Sequence, residues 1–112
     1  MRGRLAYQSF SNVAATAAKK ARIVEVGLRD GLQNEKALVS LDTKLQLLDK
    51  LYSAGLRDIE AGAFVSPQWV PQMKDTKDIF THLKKASESN KYSGAMFSAL
   101  VPNVKGVTCN VL

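Results

Sequence analysis

Three short β-prone segments alternate with two amphipathic helical segments, and this order restricts the fold more than any other feature of the chain. The strand-like segments begin near residues 23, 58 and 95, a spacing of about 35 residues. Strands that alternate with helices form parallel βαβ units with right-handed crossovers. A doubly wound sheet and a (β/α)8 barrel both satisfy the order.

The strand segments are rich in β-branched or small apolar residues. They cover residues 23–27, 57–64 and 95–101, and Pro102 ends the third. The stretch 65–73 contains two prolines, which predicts a loop after the second strand.

The helical segments show apolar residues at helical spacing. A first helix is predicted over 41–54, with Ser40 as its cap and Gly55 as its stop. Asp75 is predicted to cap a second helix. Its expected apolar face consists of Ile79, Phe80, Leu83 and Ala86.

Composition favours one globular domain. The chain has 112 residues, of which 46% are hydrophobic, and no apolar run approaches the roughly 18 residues of a membrane span. We therefore expect a soluble protein that does not bind membranes. The single cysteine, Cys109, excludes an intrachain disulfide and favours an intracellular compartment.

The net charge of +6 is concentrated in the first residues. Five basic residues and no acid precede residue 23, whereas 11 basic and 10 acidic residues follow. We therefore expect no nucleic-acid-binding face. Residues 1–21 have the basic, acid-free, Ser- and Thr-containing composition of a mitochondrial transit segment, although an ordinary N-terminal tail would have the same features.

Polar residues collect where the predicted strands end. Arg29 and Asp30 follow the first strand, Glu60 lies in the second, and Asn103 and Lys105 follow the third. In a parallel barrel these ends share the face that carries catalysis. A local ion pair in a turn and a solvent-facing glutamate would explain the same residues. The first turn has neither a G-x-G-x-x-G fingerprint nor a P-loop.

Three stretches of the sequence carry a family resemblance. Residues 23–36 (IVEVGLRDGLQNEK), 59–73 (IEAGAFVSPQWVPQM) and 101–106 (VPNVKG) resemble 3-hydroxy-3-methylglutaryl-CoA lyases. The resemblance implies an α/β fold, a partial TIM barrel over 22–106 of the pyruvate carboxyltransferase-like type, with its first three strands and two helices. Leu28 stands where the family usually has proline, which we expect to loosen the turn slightly. Residues 107–112 do not match, and a closed barrel needs about 250 residues, so we expect a fragment. The resemblance implies that it supplies one metal ligand of about four and lacks the family's cysteine loop, so we expect it to be inactive alone.

The resemblance also implies roles for individual residues. Asp30 matches the metal-ligand aspartate, and Arg29 matches the catalytic arginine that faces the substrate carbonyl. Glu60 matches a catalytic-site glutamate that we expect to hold Arg29. The positions implied to lie near the substrate, besides Arg29, are Gln33, Lys36 and Ser66.

The family reaction cleaves 3-hydroxy-3-methylglutaryl-CoA to acetyl-CoA and acetoacetate, in leucine degradation and ketone-body formation. The resemblance implies a divalent cation (Mg²⁺ or Mn²⁺) whose other ligands lie outside this chain. It also implies an acyl-CoA substrate, a homodimer and the mitochondrial matrix, with cytosol or peroxisome as alternatives. Two other functions remain open: a related Claisen-type synthase or lyase fragment, and a non-catalytic fragment that adds strands to full-length subunits.

Four other residues invite interpretation. We expect Trp69 and Met73 to pack within their loop, and His82, the only histidine, to face water. Cys109 does not match the family's catalytic cysteine, and we expect no functional role for it. A three-stranded piece of a barrel should leave one face of the third strand uncovered.

Overall fold

The computed structural model describes residues 19–105, which form a three-stranded parallel sheet with two helices. The strands lie in the order β1-β2-β3, with Val24 opposite Asp58 and Asp58 opposite Met96. The elements are β1 (Val24–Glu25), α1 (Leu41–Ser53), β2 (Asp58–Ala63), α2 (Thr76–Glu88) and β3 (Met96–Leu100). The predictions for residues 1–18, for Cys109 and for the non-matching end at 107–112 fall outside the described residues.

The ends of α1 follow the sequence prediction. The backbone N–H of Thr43 donates to the Ser40 hydroxyl at 3.2 Å, and Gly55 adopts a φ of +100° just beyond the helix. Asp75 precedes α2 as predicted, but its carboxylate makes no capping bond to that helix. The prediction that Asp75 caps α2 through its side chain was therefore wrong.

One core lies between the helices and the sheet. Its aliphatic centre consists of Leu48 from α1, Ile59 from β2 and Ile79 from α2, each at most 2% exposed. Leu28, in the turn after β1, is 1% exposed and belongs to the same cluster. The predicted face of α2 is confirmed, since Ile79, Leu83 and Ala86 are buried and Phe80 packs against them.

The face of the sheet that points away from the core is open in the described part of the chain. Along β3 every second residue is exposed, and Met96 and Leu100 are 59% and 41% accessible. This matches the expectation of an uncovered face on the third strand. Neither described helix has the length and apolar character that crossing a bilayer requires.

Two expectations about single residues were wrong. Met73 is buried as predicted, but Trp69 is 86% exposed and does not pack within its loop. His82 is half-buried, and its Nε2 is enclosed without a hydrogen-bond partner among residues 19–105. The charge pattern of α2 suggested a solvent-facing histidine because Lys84 and Lys85 follow it, yet His82 itself turns toward the protein.

Candidate active site

A π-helical turn, Gly27–Gly31, follows β1 and sets the direction of the next two side chains. The backbone N–H groups of Arg29, Asp30 and Gly31 all donate to the carbonyl of Val26, at 3.1, 2.8 and 3.2 Å. Single π-turns of this kind occur frequently at functional sites. This turn ends β1 earlier than predicted and places Arg29 and Asp30 at the carboxyl end of the strand.

The guanidinium of Arg29 lies between two carboxylates. Its Nε donates to Oε1 of Glu60 on the neighbouring strand, and its Nη1 donates to Oδ1 of Asp30 at 3.0 Å. The side chains of Arg29 and Glu60 are 19% and 20% exposed, whereas that of Asp30 is 61% exposed. Glu60 is therefore not a solvent-facing residue, and the ion pairing of Arg29 extends beyond its own turn to the neighbouring strand.

A β-bulge follows Glu60 on β2. Glu60 lies opposite Ser98 and Gly62 lies opposite Ala99, so Ala61 is an extra residue in the pairing. Bulges re-aim side chains and are common next to active sites. Here the irregularity comes directly after the glutamate that pairs with Arg29.

The other three predicted site residues occupy different positions. Gln33 joins Arg29, because its Oε1 lies 3.5 Å from Arg29 Nη1. Lys36 is exposed and lines a neighbouring cleft of about 430 Å³, which Gln33 and Trp69 also line. Ser66 is exposed in the loop after β2, where its carbonyl accepts the backbone N–H groups of Trp69 and Val70 at 3.0 Å. Ser66 lines neither the cleft nor the Arg29 cluster.

Sequence reasoning missed a buried polar network beside this cleft. Lys44, in the first turn of α1, donates to Oδ1 of Asp75 at 2.6 Å and to the backbone carbonyl of Gln72. The Lys44 and Asp75 side chains are 3% and 9% exposed. Gln72 in turn donates to the carbonyls of Glu35 and Ala37 in the loop after β1. A signal was present, since Lys44 interrupts the apolar face that Leu41 and other residues define on α1.

Two features of this network oppose stability. Asp75 gives up a helix cap, which typically contributes about 1 kcal/mol. The Oε1 atom of Gln72 is buried without a partner in the described part of the chain, which typically costs about 1–3 kcal/mol. The network therefore fixes geometry at some expense in stability.

A second polar cluster lies at the opposite end of the sheet, between α1 and the loop before β3. The Tyr92 hydroxyl donates to Asp49 Oδ1, and Lys91 Nζ lies 2.9 Å from the same oxygen. Burial raises the pKa of Asp49, but hydrogen bonds from Tyr92 and Lys91 outweigh it and the pKa is lowered. Burial, and then the bond to Asp49, raises the pKa of Tyr92 above 10.0. The bond to Asp49 also raises the pKa of Lys91.

Of the metal site that the sequence led us to expect, the described residues contain one predicted ligand, Asp30. Asp30 offers an exposed carboxylate, the type of donor that a hard divalent cation prefers. Across residues 19–105 no three His, Cys, Asp or Glu side chains come together in a way that could hold a metal ion. The described residues alone therefore do not fit a complete metal centre.

Comparisons with known proteins show which family and which relatives this chain resembles. Residues 20–107 match the HMGL-like protein family. The chain is 48% identical over 91 residues to the mitochondrial hydroxymethylglutaryl-CoA lyase of Macaca fascicularis, covering 81% of this chain and 26% of that protein. It is 48% identical over 88 residues to the 3-hydroxy-3-isohexenylglutaryl-CoA/hydroxy-methylglutaryl-CoA lyase of Pseudomonas aeruginosa, covering 79% and 27%. The chain thus spans about a quarter of the length of the curated relatives it matches.

Solved structures agree with these matches. The crystal structure of hydroxymethylglutaryl-CoA lyase from Pseudomonas aeruginosa superposes with a TM-score of 0.72 at 45% identity, covering 83% of this chain and 29% of that one. An HMG-CoA lyase from Acinetobacter baumannii, solved in complex with coenzyme A and 3-methylmalate, gives a TM-score of 0.66 at 36% identity. That match covers 76% of this chain and 26% of the other.

Proposed function

Because the chain belongs to the HMGL-like family, we propose that it supplies one portion of the active site of a carbon–carbon lyase. The proposed reaction is the retro-Claisen cleavage of 3-hydroxy-3-methylglutaryl-CoA into acetyl-CoA and acetoacetate. The observation that carries the proposal is the ion pair between Arg29 and Glu60, which joins the turn after β1 to the neighbouring strand β2.

Arg29 is the proposed electrostatic catalyst. Cleavage leaves an enolate on the acetyl-CoA fragment, and a fixed guanidinium stabilises the negative charge that grows on its oxygen. Contacts among residues 19–105 engage Nε and Nη1, and Nη2 is the group that we propose donates to that oxygen. The role of Glu60 is to hold the guanidinium in this orientation through a charge-assisted bond.

Asp30 is the proposed metal ligand of this portion. The family suggests a divalent cation, Mg²⁺ or Mn²⁺, which when bound would polarise the substrate's carbonyl oxygens. Asp30 would contribute one oxygen, and the remaining ligands would come from outside residues 19–105. We propose that the base that takes the proton of the C3 hydroxyl also lies outside residues 19–105.

The proposed substrate is an acyl-CoA thioester. A relative has been solved with coenzyme A bound, and Gln33 and Lys36 border an open cleft next to Arg29 in this chain. We propose Gln33, Lys36 and Ser66 as substrate-binding residues and a homodimer as the assembly. Relatives from Macaca fascicularis and Arabidopsis thaliana are named mitochondrial, which supports the matrix as the proposed location and leucine degradation and ketone-body formation as the processes served.

A chimeric enzyme tests the proposal. Residues 20–107 replace the matching portion of the Pseudomonas aeruginosa lyase, and acetyl-CoA release from 3-hydroxy-3-methylglutaryl-CoA is followed with Mg²⁺ present. We expect turnover, and Arg29→Gln should lower kcat about a thousandfold, as loss of one oxyanion-stabilising donor typically does. Arg57→Gln is the matched control, because Arg57 precedes β2 at the other end of the strand. A folded chimera without turnover, or an Arg29→Gln chimera with full turnover, would refute the proposal.

The 112-residue chain alone should release no acetyl-CoA under the same conditions. It covers about a quarter of its relatives and brings one proposed metal ligand. Turnover by the purified chain that disappears on Arg29→Gln would contradict this expectation.

The free edge of the sheet favours a second candidate function. Within residues 19–105 β3 is an edge strand, and an edge strand can pair with another sheet; Met96 and Leu100 on it are also exposed. In this alternative the chain is a non-catalytic partner of full-length lyase subunits. Co-purification of tagged chain with an intact lyase supports it, and its loss on Met96→Lys with Leu100→Lys would locate the contact. Elution of the two proteins as separate species would remove the idea.

A further inference from the structure

We propose that Gln72 is a positioning residue that fixes Lys36 at the rim of the cleft beside Arg29. Lys36 matters as a substrate-binding residue only under the proposed lyase function, but its positioning can be measured independently. The segment concerned is residues 33–37, called here the cleft loop.

The amide of Gln72 holds the backbone on both sides of Lys36. Its Nε2 donates to the carbonyl of Glu35 and, at 2.9 Å, to the carbonyl of Ala37. Gln72 is 5% exposed, so its side chain is itself fixed by its surroundings. Two bonds to the residues that flank position 36 restrict the direction in which the Lys36 side chain leaves the loop.

The cleft loop has little else to order it. Glu35, Lys36 and Ala37 are exposed, so apolar packing does not hold them. The backbone N–H of Glu35 donates to the carbonyl of Leu32, just before the loop, at 3.1 Å, and Gln33 Oε1 accepts from Arg29 Nη1 at 3.5 Å. Among residues 19–105, the side-chain contacts from Gln72 tie this loop to the loop after β2.

Gln72 is anchored in turn by the buried ion pair. Lys44 donates both to the Gln72 carbonyl and to Asp75, which connects α1, the loop after β2 and the start of α2. The cleft loop is thereby connected to α1 and α2, the two helices that pack with β2 in the core.

A purely structural role would not favour glutamine at this position. Its Oε1 is buried without a partner within residues 19–105, and methionine would fill a similar volume without that orphaned acceptor. A residue kept because its two hydrogen bonds stabilise the fold would lose stability when it is replaced by methionine, whereas a positioning residue would lose mainly the order of the cleft loop.

The test uses the 112-residue chain and two substitutions, Gln72→Met and Gln72→Glu. Both remove the donors to Glu35 and Ala37, and the second keeps the side chain's shape. We expect ¹⁵N order parameters over 34–38 to fall from about 0.85 to below about 0.6, with β2 unchanged. For Gln72→Met the urea midpoint should stay the same or rise. Gln68→Met, at an exposed position of the same loop, is the matched control and should change neither quantity.

The lyase chimera adds a functional readout. There Gln72→Met should raise KM for the thioester about tenfold and change kcat by less than about twofold, the pattern of lost ground-state binding. Unchanged order parameters over 34–38 in both variants would overturn the proposal, and so would an equal fall in β2. If the chimera is inactive while the Gln72 variants show lower order parameters in the cleft loop, the lyase function is refuted, and Gln72 remains the residue that positions the loop.

Discussion

Arg29, in the turn after β1, and Glu60, on β2, form an ion pair between positions 31 residues apart. Parallel pairing produces the contact. Val24 lies opposite Asp58, and Glu60 follows two residues later on the same face. The π-helical turn then brings Arg29 back toward that face instead of continuing along the strand. The pair therefore depends on both the sheet register and the conformation of one turn.

Replacing Glu60 with glutamine should destabilise the chain by about 1–2 kcal/mol. A hydrogen bond to a charged group contributes about 1.5–3 kcal/mol, and the amide keeps a weaker neutral bond to Arg29. Urea unfolding of the 112-residue chain measures the change. Asp30→Asn is the control: at 61% exposure its pair with Arg29 should contribute less than about 0.5 kcal/mol. Equal losses in the two variants would show that burial of the pair is unimportant.

Much of the fold could be predicted from local pattern. The alternation of strand and helix signals gave the order of the elements, and capping residues gave α1 to within one residue of Leu41–Ser53. The partial (β/α)8 barrel is confirmed by three parallel strands and by superposition on solved lyases. These features follow from periodicity and turn chemistry, which act over a few residues.

What the sequence could not show depends on contacts between distant residues. Lys44 was recognisable as a charge on an apolar helix face, but its partner Asp75 lies 31 residues away and was predicted to cap a helix instead. Trp69 was expected to pack because tryptophan usually does, yet it borders an open cleft. The orientation of Gln72 toward the cleft loop likewise depends on how two loops meet.

Breaking the buried ion pair should be the most damaging single change near the cleft. Lys44→Met leaves the Asp75 carboxylate buried without its partner, and such a loss typically costs about 3–5 kcal/mol. The double variant Lys44→Met with Asp75→Leu should recover at least half of that, because no uncompensated charge remains. Urea unfolding of both single variants and the double variant gives the coupling energy. If the losses in the free energy of unfolding simply add in the double variant, the two side chains do not depend on each other.

The cluster around Asp49 should make stability depend on pH at both extremes. The pKa of Asp49 is lowered in the folded chain, so its contribution is present above about pH 4 and is lost as the pH falls through the folded value. The pKa values of Tyr92 and Lys91 are raised, so their contributions are present below their ordinary values and are lost as the pH rises above about 10.

Thermal unfolding between pH 3 and 11 checks this dependence. Asp49→Asn should flatten the loss of stability at low pH and reduce the loss at high pH, because it removes the carboxyl group that titrates at low pH and the hydrogen-bond partner of Tyr92 and Lys91. Asp42→Asn, at an exposed position in the first turn of the same helix, is the matched control and should keep the alkaline limb. An alkaline limb that persists unchanged in Asp49→Asn would show that Tyr92 and Lys91 do not act through this contact.

α2 lies close to β2 at Gly62, opposite Thr76. A Cβ added there would lie 2.6 Å from Thr76 Oγ1 and 2.8 Å from Thr76 Cγ2. Thr76 has little freedom to move, since it is 2% exposed and its hydroxyl bonds to backbone groups of Ala63 and Met73. Glycine at position 62 is therefore a requirement of packing next to the bulge that follows Glu60.

Gly62→Ala should consequently destabilise the chain by about 1–3 kcal/mol, the usual range for overpacking a fixed core contact. Gly31→Ala is the matched control: its Cβ would meet nothing within 4 Å, so stability should stay the same or rise by about 0.4–1 kcal/mol. Thr76→Ala combined with Gly62→Ala should lose less than the sum of the single losses, because the clash is with the atoms that Thr76→Ala removes. Urea unfolding of the four variants decides the matter, and a Gly62→Ala chain as stable as Gly31→Ala would show that α2 can shift away from β2.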